Sequence, residues 1–323
     1  MRRVFISWAI AFVVLLGAFA VTVVAMNATL YSSSGFVDTY LNALARQDAT
    51  SARELPGVLA SEDSAANLLT DGALGELSEI ELIGNDVDSD GVHTLSYEYN
   101  IGGELAESSF RVVQTGAFLG LFPTWKFESS PLATVAVTVL HDDRFRANAV
   151  DLTADDQPTA SGGFLVFAPG LYTFDHESTY LEADSVAVPI SEPGSVTAVQ
   201  VDVQANTYFT QQVSNELKEF LDGCATQEVL LPTGCPFGKG FENRIDTTPV
   251  WSIATYPDIE VIPGETVGDW LVPQTPAAAH LQVEVRSLFD GTRTQFDEDV
   301  PFTVSYDISI DANDKLFISA LFS

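Results

Sequence analysis

The chain has 323 residues, 46% of them apolar, and sets 14 Lys and Arg against 45 Asp and Glu, a formal net charge of −31. That length exceeds one compact core and suits two or three domains, and the apolar share excludes a chain disordered by composition. A surface this acidic repels phosphate backbones and argues against nucleic acid as a partner; it keeps the protein soluble by self-repulsion, with a cation-loving or basic-partner surface as the sharper alternative.

The chain opens with Arg2 and Arg3, and then Val4 to Met26 is a run of 23 residues without a charged side chain. About 20 apolar residues cross a bilayer core as a helix. The next basic residue is Arg46, so the excess of arginine before the run predicts residues 1–3 inside and the bulk of the chain outside. A cleaved signal peptide is the alternative, with Val23-x-Ala25 as its small-residue site, but signal peptides carry a shorter apolar region of about 7–15 residues. The run length favours an uncleaved transmembrane helix over 4–26, in a plasma-membrane protein of single-pass topology with its C-terminal domains extracellular.

Beyond the anchor, Ser34 can cap a helix whose apolar positions Phe36, Val37, Tyr40, Leu41 and Leu44 share one face. Ser51–Glu54 reads as a capping box stopped by Pro56-Gly57, and another short helix is expected near Ser61–Leu69. The period then changes to two: Ile80 and Leu82 alternate with Glu79 and Glu81, and Leu95, Tyr97, Tyr99 and Ile101 alternate with polar residues. Gly102-Gly103 is a hairpin turn, Phe110 and Val112 lie on the return strand, and "TWKFES" supplies a fourth strand. Residues 31–130 therefore read as an α+β domain. Residues 131–205 have no helical period. Val135, Val137 and Val139 alternate, as do Val199, Val201 and Val203, and "GGFLVFAPGLYTF" reads as strand, Pro169-Gly170 turn and strand, so a small β-sandwich is expected.

Asn206 starts a second helix with a stripe of Phe209, Val213, Leu217, Phe220 and Leu221, ended by Gly223. Cys224 and Cys235 are the only cysteines. Outside the membrane an even pair this close reads as a disulfide, worth roughly 3 kcal/mol for a loop of about twelve residues. The strands "PVWSIATY" and "AAHLQVEVRSLF" follow. Asp290-Gly291 turns the chain into a long strand with Val300, Phe302, Val304, Tyr306, Ile308 and Ile310 on one face, and "DANDK" turns it into "LFISAL". Residues 206–323 thus repeat the layout of 31–130, without a residue-level repeat.

Site chemistry is sparse. Asp86-x-Asp88-x-Asp90-Gly91 matches the first half of a calcium loop, but position twelve, where a bidentate Glu belongs, is Tyr97 on an apolar strand face. Asp90-Gly91 between alternating segments reads instead as a hairpin turn, with a weak calcium site on Asp86, Asp88 and Asp90 as the alternative. His141-Asp142-Asp143 and Asp175-His176-Glu177 place histidine beside carboxylates, yet neighbours on a strand point to opposite faces. Asp297, Glu298 and Asp299 read as a solvated strand entry. No G-x-S-x-G elbow, H-E-x-x-H, phosphate-cradling glycine loop or zinc-ligand cluster occurs in the sequence, so neither a catalytic set nor a cofactor is expected. Trp251, Tyr256 and Trp270 are the candidate lining of a binding groove, against the commoner role of strand aromatics as core.

"GFVDTYLNALARQDATSARELPG" and "FAPGLYTF" resemble segments of single-pass envelope proteins of actinobacteria, and the plan is loosely similar to the teicoplanin-resistance-associated envelope family. The resemblance implies two extracellular helix-plus-meander domains of the nuclear-transport-factor-like or cystatin-like kind flanking the β-module. Members often begin with a cytoplasmic zinc ribbon, and only three residues precede the apolar run here. The resemblance carries no site residues. It implies a non-enzymatic protein that binds or senses a cell-wall component or another envelope protein; the alternatives are an accessory subunit of a membrane complex or, further off, an enzyme built on the α+β cone.

Overall fold

The computed structural model describes residues 2–58, 67–157, 162–311 and 315–320. It is a mixed α+β structure, mostly antiparallel sheet, with four helices among the described residues. By contact the chain gathers into two compact units. Unit 1 takes Met1–Thr138, Arg144–Asp175 and Ser185–Val201; unit 2 takes Val139–Asp143, His176–Asp184 and Asp202–Ser323. The stretch 131–205 contributes to both.

Unit 1 begins with α1 (Arg2–Ala28), which carries apolar residues on every side: Trp8, Phe12, Val13, Leu15, Leu16, Phe19, Val21 and Val24 are all exposed. Among the described residues no single helix is long and apolar enough to cross a membrane. Phe12–Ala28 passes that test only together with the next helix, across a 57° bend. That next helix, α2 (Ser33–Ala45), buries Val37, Tyr40, Leu41 and Leu44 at the spacing the sequence predicts. Its cap is Ser32, not Ser34: the Ser32 hydroxyl accepts from Gly35 N at 2.9 Å, which leaves Ser34 inside the first turn. Likewise the short α3 (Ala49–Arg53) is capped by Asp48, whose carboxylate accepts from Ser51 N at 2.9 Å, so Ser51 lies within the helix. Most of the helix expected near Ser61–Leu69 falls outside the described residues.

The helices pack on a four-stranded meander, β1 (Leu77–Val87), β2 (Val92–Ile101), β3 (Glu104–Phe118) and β4 (Phe122–Phe127), in that order. The central strand β2 turns Leu95, Tyr97, Tyr99 and Ile101 inward as its alternation requires, opposite Phe110 and Val112 of β3. Gly102 and Gly103 both take positive φ in the two-residue connection between Ile101 and its partner Glu104, a conformation that glycine supplies without strain. Edge strand β1 follows its pattern less well: register shifts at Ser78/Glu81 and Leu82/Gly84 leave Leu82 exposed and Ile80 half-buried. Tyr40 sits at the centre of this core, edge-on to Phe110 and Phe127. Its hydroxyl donates to Ala168 O at 2.9 Å, and burial pushes its pKa well up.

The remaining strands of this part are β5 (Leu132–Leu140), β6 (Arg144–Ala147), β7 (Val150–Thr153), β8 (Phe164–Phe167), β9 (Gly170–Glu177), β10 (Leu181–Ile190) and β11 (Val196–Asp202). A three-stranded sheet runs β11-β5-β8, while β6 lies between β7 and β9 in a second sheet. The strands on either side of Pro169-Gly170 are thus separate-sheet neighbours and not a hairpin. Buried Val135, Val137, Val199 and Val201 confirm the inward faces of β5 and β11.

In unit 2, β12 (Gln204–Ala205) pairs with β10 through Leu181↔Ala205 and leads into α4 (Thr207–Ala225). Asn206 caps α4 as expected, its side chain accepting from Phe209 N at 2.9 Å. The helix does not end at Gly223. It runs to Ala225, because the last turn is held by the Cys224–Cys235 disulfide and by the Thr226 hydroxyl on Gly223 O. The sheet behind α4 comprises β13 (Arg244–Ile245), β14 (Val250–Thr255), β15 (Ile262–Pro263), β16 (Asp269–Arg286), β17 (Arg293–Ile310) and β18 (Leu316–Ala320). Its spine is the long β16–β17 hairpin. β13, β14 and β15 line the free side of β16, and β18 forms the edge beyond β17. Val300, Phe302, Val304, Tyr306 and Ile308 of β17 face the core together. Part of the "DANDK" turn lies outside the described residues.

Candidate functional site

α4 packs on β14 and sets Phe209 against Trp270 of β16, and its amphipathic spacing sets what it offers the sheet. Phe209, Val213, Leu217 and Leu221 repeat every four residues and are buried. Phe220, three residues beyond Leu217, falls at the border of that stripe and is 41% exposed. Beside it a cleft of about 270 Å³ opens between the helix and the sheet edge. Val213, Leu217 and Phe220 form the helical wall, and Tyr306, Ile318 and Ala320 the sheet wall. Strand pairing explains the second wall: Tyr306 faces Ala320 and Ile308 faces Ile318, so all four side chains share the inward face.

Two polar groups meet the cleft. Glu216 sits on the exposed side of α4, one turn before Phe220. The Tyr306 hydroxyl makes no hydrogen bond among the described residues, and burial raises its pKa. The cysteine loop reaches the same cleft through Gly234. That loop is held in place by Thr233 N donating to the Gln227 side chain at 2.8 Å and by Lys239 N donating to Leu230 O at 2.9 Å. The arrangement can hold an apolar group of modest size and satisfy one hydroxyl or cation on it.

The sequence-predicted groove residues do not line this cleft. Trp251 is buried, its ring tilted against Phe237 at 5.0 Å, with its ring N–H donating to Val229 O at 2.8 Å. Trp270 is buried against Phe209, and its ring N–H has no partner among the described residues. Tyr256 stays partly exposed and donates to Asp222 of α4, a contact that raises its pKa. The residues that do line the cleft carried one sequence signal: Phe220 is the member of the α4 stripe that breaks its four-residue spacing.

The aspartate run forms the β1–β2 turn. The Asp88 carboxylate accepts from Asp90 N at 2.9 Å and Val92 N at 3.0 Å, and these bonds, the one from Val92 first, hold its pKa down. Asp86 lies on β1 opposite Thr94. Tyr97, at the twelfth position, is buried and donates to Asp38 at 2.8 Å. Among the described residues no group of three His, Cys, Asp or Glu side chains is placed to hold a metal ion. In Asp175-His176-Glu177 only His176 is buried, as opposite strand faces require, and Asp175 pairs with Arg146 at 2.8 Å. His141 is 3.1 Å from Asp202.

The acidic triplet has a partner that sequence reading missed. His280 of β16 stands opposite Asp299 of β17, and its two ring nitrogens lie 2.7 Å from Asp299 and 2.7 Å from Asp297. Both contacts favour the imidazolium, Asp299 most, and raise the His280 pKa. The hairpin register makes the match: the pairing is centred on Phe289-Asp290, with Arg286 opposite Arg293, and that count brings 280 against 299.

The chain matches no protein-family model, no curated protein and no solved structure.

Proposed function

We propose that the protein is a non-catalytic cell-envelope protein. In this reading α1 crosses the membrane with Arg2 and Arg3 inside, and the domains outside bind a protein partner or wall component through the α4 cleft. The observation that carries it is the surface of α1, apolar and exposed on every side, which is costly in water and favourable in lipid. The uncharged run Val4–Met26, at 23 residues and about 1.5 Å each, reaches about 34 Å as a helix, enough for a hydrocarbon core of about 30 Å. The disulfide fits an oxidising compartment outside the cytoplasm.

Within this reading, α2 and α3 on β1–β4 and α4 on β13–β18 are two helix-on-meander domains of the nuclear-transport-factor-like kind. The two sheets of the middle strands then form the small sandwich. In such cones the opening between helix and curved sheet is the natural binding mouth, and the α4 cleft occupies that place.

Two experiments test the proposal. A reporter enzyme active only outside the membrane, fused after Ser323, should be active in cells; an inactive reporter would reverse the topology. A photo-crosslinking residue at Phe220 should capture one discrete envelope component in intact cells, while the same group at Phe289 in the β16–β17 turn does not. Equal yields from both positions would remove the cleft from the account.

A further inference from the structure

We infer that the tip of the β3–β4 hairpin is a second membrane contact, inserting into the lipid interface beside the end of α1. The inference rests on the anchoring of α1 proposed above. The tip is Phe118-Leu119-Gly120-Leu121, and Phe118, Leu119 and Leu121 are 58%, 75% and 43% exposed. No charge occurs from Val112 to Trp125, nor from Val4 to Val37, in a chain of net charge −31. The charge-free stretches meet in space. The Asn27 side chain donates to Leu121 O at 2.8 Å, the Tyr31 ring packs on Phe122 at 4.5 Å, and the Trp125 ring N–H donates to Tyr31 O at 2.8 Å. Leu30, exposed as well, extends the same patch.

The depth follows from the helix. If hydrocarbon covers Val4 to about Met26, Asn27 and the tip bonded to it lie at the boundary of acyl chains and headgroups. Tyr31 and Trp125 flank that level, where amphipathic aromatic rings are favoured.

The backbone of the tip gives an independent sign. Leu119 has φ +51°, a left-handed conformation that glycine or asparagine takes with less strain. A leucine there is disfavoured twice in water, by its backbone and by its exposed side chain. At a lipid interface the side chain is favoured, and the local rule is broken where a function needs it. The partner is therefore a lipid surface, bound by shallow insertion of apolar side chains without basic residues, so the contact should not depend on anionic lipid.

Both native cysteines are bridged, so single added cysteines report cleanly. An environment-sensitive dye is attached at Leu119→Cys, Leu16→Cys or Leu105→Cys in the full chain, reconstituted in vesicles of neutral phosphatidylcholine and challenged with aqueous iodide. Leu105, exposed at the opposite end of β3, about 45 Å along the strand, is the aqueous control. The expected result is a dye at Leu119 that is blue-shifted and quenched at least threefold less than at Leu105, unchanged when anionic lipid is added. A shielded Leu16 with Leu119 quenched like Leu105 overturns the hairpin contact alone. Quenching of both Leu16 and Leu119 overturns the anchor and the hairpin contact together.

Discussion

Phe220→Ala should separate the cleft from the core, and Leu217→Ala is its reference. Leu217 is 6% exposed and Phe220 41%, although both face the sheet side of α4. Truncating a buried leucine costs about 2–5 kcal/mol, transfer and cavity together. Fully burying a phenylalanine side chain is worth about 1.5–3 kcal/mol. Phe220 is roughly three-fifths buried, so its truncation should cost only about 1–2 kcal/mol by the same scale. Binding should rank the other way. Loss of an aromatic anchor costs about 1–3 kcal/mol, or roughly 5- to 150-fold in Kd. A fluorinated benzylamine suits the site, its ring against the apolar walls and its ammonium near Glu216. Ligand fluorine NMR on the full chain in nanodiscs, with empty nanodiscs subtracted, measures its affinity; urea unfolding of the same samples measures stability. Phe220→Ala should weaken the probe at least fivefold while staying more stable than Leu217→Ala. Equal destabilisation by the two variants, with unchanged probe affinity for folded protein, would refute the assignment of Phe220 to a binding wall.

Four further outcomes are expected. Gly35→Ala places a Cβ about 2.1 Å from Thr29 O, a backbone atom that cannot yield cheaply, so the α1–α2 corner should lose about 1–3 kcal/mol in melts; a change under about 0.5 kcal/mol would mean the corner is not tight. Replacing Cys224 and Cys235 with serine opens a loop of separation 11, which should cost about 3 kcal/mol in unit 2; an unchanged melt would contradict the restraint. Leu119→Asn should stabilise the chain in detergent by up to about 1 kcal/mol, because asparagine accepts positive φ, while weakening its hold on vesicles; a destabilised hairpin would show that the leucine is there for packing. The fourth outcome concerns pH: His280, with its folded pKa raised, contributes stability that is full below the unfolded pKa near 6.5 and is lost as pH rises through the folded value. The groups facing it are Asp297 and Asp299, with Ser252 of β14 paired on its other side. His280→Gln should therefore cost more at pH 5 than at pH 9, and NMR titration should find the imidazole pKa above its ordinary range; a value below it would reverse the sign.

Much of the fold was legible because its signals are local. The alternation in β2, β3 and β17, the paired glycines after Ile101 and the Asn206 cap each depend on residues within a few positions. The misreadings have local causes too. At α2 the sequence offers three consecutive serines, and at α3 Asp48, Thr50 and Ser51, and only geometry decides that Ser32 and Asp48 cap. Edge strand β1 carries bulges that an alternating pattern does not encode. The site was less legible because its parts come from distant segments. The cleft joins α4 to β17 and β18 about a hundred residues later, and His280 meets Asp297 and Asp299 only through the hairpin register. Trp251 and Trp270 drew attention by size, whereas the smaller Ile318 and Ala320 line the opening.

The most direct test of the central claim is protease digestion of intact, wall-stripped cells, followed by mass determination of what the membrane keeps. The expected result is a retained fragment that starts at the N-terminus and ends shortly after residue 28, with every peptide of units 1 and 2 beyond it released. A full-length chain untouched by protease until the cells are lysed, or a protein beginning near Met26 in the culture medium, would contradict it.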